Sequence, residues 1–301
     1  VTPRPSLGIA MIICSASLFA VNGTMAKLLQ QTGVDAAQVA TLRAGGTALA
    51  LGGAALAVRP RSMRITRREA PMLACYGLAG FFLVPLLYLI AISRMSVGIA
   101  LLLEYMAPVF VALWARFAQG REVRPRLWVG LALAVGGLAC VARVWGRPDL
   151  DLVGTAASIA AAVLLAAWFV LGAHGTARRD PLSLTAWAFI VAAIAGAVVR
   201  PWWDFPVAHF RESRTLLLTL YVVFLGTTVP YFILTAALRH LPATSVSILS
   251  MLEVVIASAV AWVALDEALP PVQLAGGVLI LAGVVLAETA RRDTPVTTAV
   301  T

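Results

Sequence analysis

Long apolar stretches alternate with short polar connections along the whole chain, and the stretches have the length of membrane spans. A helix needs about 20 apolar residues to cross the hydrocarbon core. Runs of about that length lie at roughly 7–29, 35–57, 70–92, 96–117, 127–144, 152–174, 182–200, 215–237, 243–265 and 271–290. The pattern predicts an all-α integral membrane protein of ten transmembrane helices. The longest connections begin at Arg59 and Pro201, and neither leaves room for a soluble domain.

Composition agrees with the pattern. The 301 residues are 61% hydrophobic and 12% charged, with mean hydropathy +0.92. Soluble domains carry about 25% charged residues, so the lipid bilayer is the first partner this chain needs. Arg4 precedes the first run as it would in a signal peptide. That run continues past signal-peptide length with no small-residue cleavage site before a soluble domain, and it reads as a span.

The net charge of +9 raises nucleic-acid binding. However, the 22 Arg and one Lys are scattered in small groups between apolar runs, with no basic stretch set apart from the membrane, so no nucleic acid is expected. They read as topology signals instead. With the N-terminus inside, 15 basic residues fall on inner connections and 7 on outer ones, with Arg43 left within a span. That bias predicts both termini in the cytoplasm. Trp145, Trp202 and Trp203 fall in outer connections, where an aromatic belt belongs. Cys14, Cys75 and Cys140 lie far apart inside apolar runs, a spacing that supports neither a disulfide framework nor a metal site.

An internal repeat organises the ten runs. Gly8 and Gly154, Gly130 and Gly276, and Gly137 and Gly283 are each 146 residues apart, and Pro85 and Pro230 are 145 apart. Residues 1–146 and 147–301 therefore read as two five-helix repeats. Five is odd, so the second copy enters the membrane inverted, a plan that supplies two related gates around one midplane site.

Two segments carry a family resemblance. ALLLEYMAPVFVALWARFAQGREVRPRLWVGLALAVGG (100–137) and SVSILSMLEVVIASAVAWVALDEALPPVQLAGGVLILAG (245–283) share a Glu or Pro in mid-helix, an acidic residue at a helix end and a Gly-spaced helix. Both resemble the EamA-type repeat of the drug/metabolite transporter superfamily, and Arg43 matches a position where that family often has Arg. The second copy departs in reading Glu253-Val254 where the family has Glu-Pro. The resemblance implies ten helices, an inner-membrane location and export of small metabolites. The stretch from Glu104 to Pro108 looks most like members that export amino acids.

Ionisable and polar groups within spans mark the expected substrate path. Arg43 and Glu104 each lie about 12 Å along descending spans, at one depth where they can pair. That pair either clamps two helices or meets a substrate carboxylate through Arg43. Glu253 is a candidate proton carrier, or a protonated residue hydrogen-bonded between helices. Pro85 and Pro230 interrupt corresponding spans, and freed backbone at such interruptions points to a transport site. Tyr88 and Tyr231 lie beside these prolines, and Tyr105 beside Glu104. Asn22 and Trp168 share the 146 register and are cavity candidates, with Asn22 equally suited to interhelical hydrogen bonding. Lys27 sits near the outer interface, where it can snorkel. Gly130, Gly137, Gly276 and Gly283 read as close helix packing.

Enzyme chemistry has no sequence support. His174, His209 and His240 lie at helix ends or in connections, and neither a zinc-protease His pair nor a nucleophile elbow occurs. Asp266-Glu267 sits at a surface, and no phosphate-binding loop precedes a Lys. The chain reads as a secondary carrier without cofactor or metal. It is expected to export a small-molecule substrate by alternating access, with proton antiport resting on Glu104 and Glu253. An importer or exchanger of the same fold is the alternative, ahead of a passive channel.

Overall fold

The computed structural model describes residues 3–92, 94–95, 97–120, 122–142, 151–201, 205, 210–265 and 270–292. Among them the regular elements are all helical. Helix α1 is Pro5–Gln31 and α2 is Ala36–Val58. Helix α3 comprises Ala70–Gly77 and Val84–Ile92, joined by π-helical Leu78–Leu83. Helix α4 comprises Val97–Glu104 and Ala107–Phe117, and α5 is Pro125–Val141. Helices α6 and α7 are Leu152–Arg178 and Pro181–Val199. Helix α8 comprises Ser213–Val223 and Val229–Ala237 around π-helical Phe224–Thr228. Helix α9 comprises Ala243–Ser250 and Leu252–Leu265, and α10 is Pro271–Arg292. Among the described residues nine spans are long and apolar enough to cross a membrane, with α5 a shorter apolar helix. Arg121, Arg143, Arg147, Trp145, Trp202, Trp203, His209, Asp266, Glu267 and the boundary between 146 and 147 lie outside the described residues, as does the side chain of Lys27.

Local chemistry sets the helix starts. Asp35 accepts from the Gln38 N–H at 2.8 Å while the Gln38 side chain accepts from the Asp35 N–H at 2.9 Å. This reciprocal cap satisfies two donors that would otherwise face the bilayer bare. Asp151 and Asp180 cap α6 and α7 by accepting from Gly154 and Ser183 N–H groups at 2.7 and 3.1 Å. Pro5, Pro125, Pro181 and Pro271 occupy first-turn positions, where a missing N–H costs nothing.

The repeat register reappears as packing. Helices α5 and α10 cross with bare glycine faces: a methyl on Gly130 would lie 2.6 Å from the Gly283 carbonyl, and one on Gly137 2.5 Å from that of Gly276. Each of these pairs joins one half to the other, so the glycines predicted to pack closely do so across the repeat axis. The π-helical segments begin at Leu78 and Phe224, also 146 residues apart, and each runs up to a proline, Pro85 or Pro230. A π-turn widens the helix, which relieves the clash of the proline ring with the carbonyl four residues earlier.

Helices α4 and α9 also break at equivalent places, at Tyr105–Met106 and at Met251. Pro108 alone cannot explain this, because α9 has Val254 at the matching position. Both breaks are made by i to i−3 hydrogen bonds that tighten one turn: Met106 to Leu103 and Val109 to Met106 in α4, Met251 to Ile248 and Val254 to Met251 in α9. The departure from Glu-Pro in the second copy therefore leaves the broken helix intact as a feature.

The connections with most basic residues gather on one face. Arg179 donates through Nη2 to the Ser62 and Arg64 carbonyls, Arg239 donates to the Arg179 carbonyl at 3.0 Å, and the Arg4 N–H meets His240 Nδ1 at 3.3 Å. At the other face Arg200 pairs with Asp35 at 2.6 Å and Arg94 with Asp151 at 3.7 Å.

Candidate functional site

The breaks in α4 and α9 bring two carboxyl side chains together in the middle of the bundle. Glu104 ends the first piece of α4, and Glu253 lies in the first turn of the second piece of α9. The Tyr105 hydroxyl donates to Glu253 Oε2 at 2.7 Å. Glu104 and Glu253 lie within electrostatic reach of each other, and Tyr88 on α3 lies within reach of both. Glu104 Oε2 is buried and, among the described residues, has no hydrogen-bond partner.

Arg43 supplies the cation. Its Nε donates to Thr227 Oγ1 at 2.8 Å, its guanidinium lies against the Tyr231 hydroxyl, and its charge reaches Glu253. The placement follows from the π-helical turn of α8. That turn leaves carbonyls without their usual partners; the Thr227 hydroxyl donates to Val222 and the Thr228 hydroxyl to Val223, at 2.7 and 2.8 Å. Having donated its one proton, the Thr227 oxygen is free to accept from Arg43. Thr228 meets Thr47, one turn along α2 from Arg43, at 2.9 Å.

An aromatic cluster borders these polar groups. The Tyr231 ring contacts Phe19, Phe81 and Phe189 with centroids 4.9, 5.0 and 5.5 Å apart, and Trp168 at 6.2 Å. Trp168 in turn stacks on Tyr76 at 6.0 Å with planes 6° apart. The site thus has a carboxyl corner, a guanidinium corner and an apolar aromatic wall.

Of the residues singled out in sequence, Arg43, Tyr88, Glu104, Tyr105, Tyr231 and Glu253 converge here, and Trp168 joins through the Tyr231 ring. Arg43 and Glu104 do not form the expected ion pair: among the described residues Arg43 is held by α8. Helix α2 packs on α7 and on the π-helical segment of α8, whereas α4 packs on α6 and α9. The two residues therefore stand on helices with different neighbours. Pro230 is buried and its own carbonyl accepts from Ser15 at 2.9 Å. Pro85 is partly buried, following its own π-helical turn. Asn22 is 6% exposed and lies against Gly226, with Oδ1 unpartnered among the described residues.

Thr227, Thr228 and Tyr76 were not singled out in sequence. A Thr-Thr doublet two residues ahead of an intraspan proline was the available signal, since hydroxyls there can satisfy released carbonyls.

The sequence model of the EamA-like transporter family matches this chain twice, over residues 6–143 and 152–289. The chain belongs to the EamA-like transporter family. As a member it is a multi-pass membrane transporter, not an enzyme. It is similar to an uncharacterized transporter of Archaeoglobus fulgidus, 28% identical over 93% of this chain and 96% of that one. It is also similar to the threonine/homoserine exporter RhtA of Escherichia coli (strain K12), 28% identical over 79% and 78% of the two chains. A probable terminal-alkyne amino-acid exporter of Streptantibioticus cattleyicolor is 29% identical over 84% of each. One crystal structure superposes with a TM-score of 0.79 over 96% of this chain and 99% of that chain, at 18% identity, which shows that the fold is shared.

Proposed function

We propose that this transporter exports amino-acid-like metabolites by alternating access, from a membrane orientation with both termini in the cytoplasm of the inner membrane. The observation that carries the reading is the unpartnered, buried Glu104 Oε2 beside the Tyr105–Glu253 hydrogen bond, with Arg43 held nearby by Thr227. A buried acceptor without a partner is costly. A substrate ammonium fills the vacancy at Glu104, and the remaining N–H groups of the Arg43 fork suit the substrate carboxylate. The substrate side chain then lies on the wall formed by Tyr231, Phe81 and Trp168. The names of the relatives, two of which export amino acids or close analogues, agree with this chemistry.

Proton antiport follows from the same oxygen. A proton on Glu104 neutralises the carboxylate that a substrate ammonium would otherwise bind, so the two exclude each other, and release of one at each face permits loading of the other. The two related halves supply the alternation, since each carries one π-helical turn followed by one broken helix.

Growth protection against a panel of amino acids and toxic analogues, in cells expressing the chain, tests the substrate class. Protection against amino acids, lost in Glu104→Gln at equal membrane abundance, is the expected result. Sensitisation instead of protection would mark an importer.

A further inference from the structure

A second polar site lies away from the central one, where the basic connections meet. A cavity of about 90 Å³ opens between the start of α3 and the end of α6. Arg68, Arg178, Arg179 and His174 line it, with Glu69 as its one acid and Met72 and Leu73 as its apolar side. We propose that this cavity binds a phosphate group at the membrane face, either the phosphodiester of an anionic lipid headgroup or a free phosphate.

Arg179 is already organised for such a ligand. Its Nη2 donates to the Ser62 carbonyl at 2.9 Å and to the Arg64 carbonyl, which fixes the plane of the guanidinium. Its Nη1 is buried and, among the described residues, has no acceptor. A planar guanidinium fixed on one edge presents its other donors in the fork that phosphate oxygens match. Arg68, Arg178 and His174 are exposed around it.

Glu69 does not cancel this charge. Its Oε2 accepts from the Thr66 N–H and hydroxyl at 3.0 and 3.1 Å. Those hydrogen bonds, with smaller help from Arg179 and Arg178, hold its carboxyl below the usual range. Three guanidinium groups therefore face one carboxylate that is engaged elsewhere.

Position matches the ligand as well. The cavity sits where α3 begins at Ala70 and α6 ends at Arg178, the level at which apolar spans give way to polar connections. Basic pockets between helices at that level attract anionic headgroups.

Native mass spectrometry of the full chain in detergent, with phosphatidylglycerol or phosphatidylcholine added, tests the lipid arm. Calorimetric titration with inorganic phosphate tests the soluble arm. The pocket variant Arg68→Gln with Arg178→Gln is compared with Arg61→Gln with Arg116→Gln, which removes the same charge outside the cavity; thermal melts verify that both fold. Arginines at a membrane surface contribute about fivefold each to anion affinity. The pocket variant should therefore lose at least about tenfold in affinity for one of the two probes, with the control near wild type. Loss confined to phosphatidylglycerol assigns the site to lipid, and loss seen with inorganic phosphate assigns it to a soluble anion. Equal affinities of the pocket variant and its control for both probes would overturn the proposal.

Discussion

Asn22 and Trp168 stand 146 residues apart and occupy the same place in opposite halves. Asn22 on α1 lies against Gly226 in the π-helical turn of α8, and Trp168 on α6 lies against Gly80 in the π-helical turn of α3. Each half thus inserts a side chain from its first helix into the distorted third helix of the other. The glycines exist for these contacts: a methyl on Gly226 would lie 1.9 Å from Asn22 Oδ1, and one on Gly80 1.8 Å from Trp168 Cδ1.

The two contacts should tolerate crowding differently. Trp168 is 1% exposed and bounded by Tyr76, Phe81 and Phe169, so it cannot yield, whereas the short Asn22 amide has less to displace. Gly80→Ala should cost about 1–3 kcal/mol as an overpacked site, and Gly226→Ala less. Melting temperatures in detergent check the order. Adding Trp168→Leu to Gly80→Ala should recover part of the loss.

Arg43 should couple to Thr227 more strongly than to Glu104. Thr227→Val keeps the shape but removes the acceptor of the 2.8 Å bond, and hydrogen bonds to charged groups contribute about 1.5–3 kcal/mol. In a double-mutant cycle on stability, Arg43→Leu with Thr227→Val should fall well short of additivity. The cycle of Arg43→Leu with Glu104→Leu should show the smaller coupling. The opposite ranking would restore the direct ion pair.

The matched prolines invite a transport test. Each follows a π-helical turn, and in α8 that turn positions Thr227 and hence Arg43. Pro230→Ala permits a regular α-helix in its place, so it should impair transport at normal membrane abundance. Pro85→Ala should impair it through Tyr88 and the Gly80 contact. Wild-type flux in both variants would reduce the prolines to packing elements.

Orientation follows from the 15-to-7 bias in basic residues and is read by labelling. In a background lacking Cys14, Cys75 and Cys140, cysteines at Gln31 and Arg211 should react with an impermeant thiol reagent in intact cells. Cysteines at Arg61 and Ala177 should not. Gln31 lies at the end of α1, two residues before Gly33, whose φ of 95° would penalise any side chain placed there. The reverse labelling pattern would invert the transporter.

Spans, repeat register and glycine packing were legible because each is written as a period: apolar length for the helices, 146 residues for the halves. Depth was legible too, by counting residues along a span, and it set Arg43 and Glu104 at one level. Azimuth was not. Which side of a helix faces which neighbour depends on packing, and counting from the membrane edge gives no angle, so Arg43 was paired with the wrong residue. Thr227 escaped notice for a related reason. Threonine is common in apolar spans, and its role appears only once the π-helical turn releases the Val222 carbonyl. The break in α9 was obscured by the absence of proline, because i to i−3 hydrogen bonds produce it without one.

The central claim is that Glu104 holds the substrate ammonium or its competing proton. Counterflow of a radiolabelled neutral amino acid into proteoliposomes, measured for wild type and for Glu104→Gln across a pH gradient, tests it most directly. Wild type should show saturable uptake that responds to the gradient. Glu104→Gln, which keeps shape and removes the charge, should fold, remain in the membrane and lose at least about tenfold in uptake, as expected for removal of a charged hydrogen bond. Uptake by Glu104→Gln at the wild-type rate, with the same response to the pH gradient, would contradict the account.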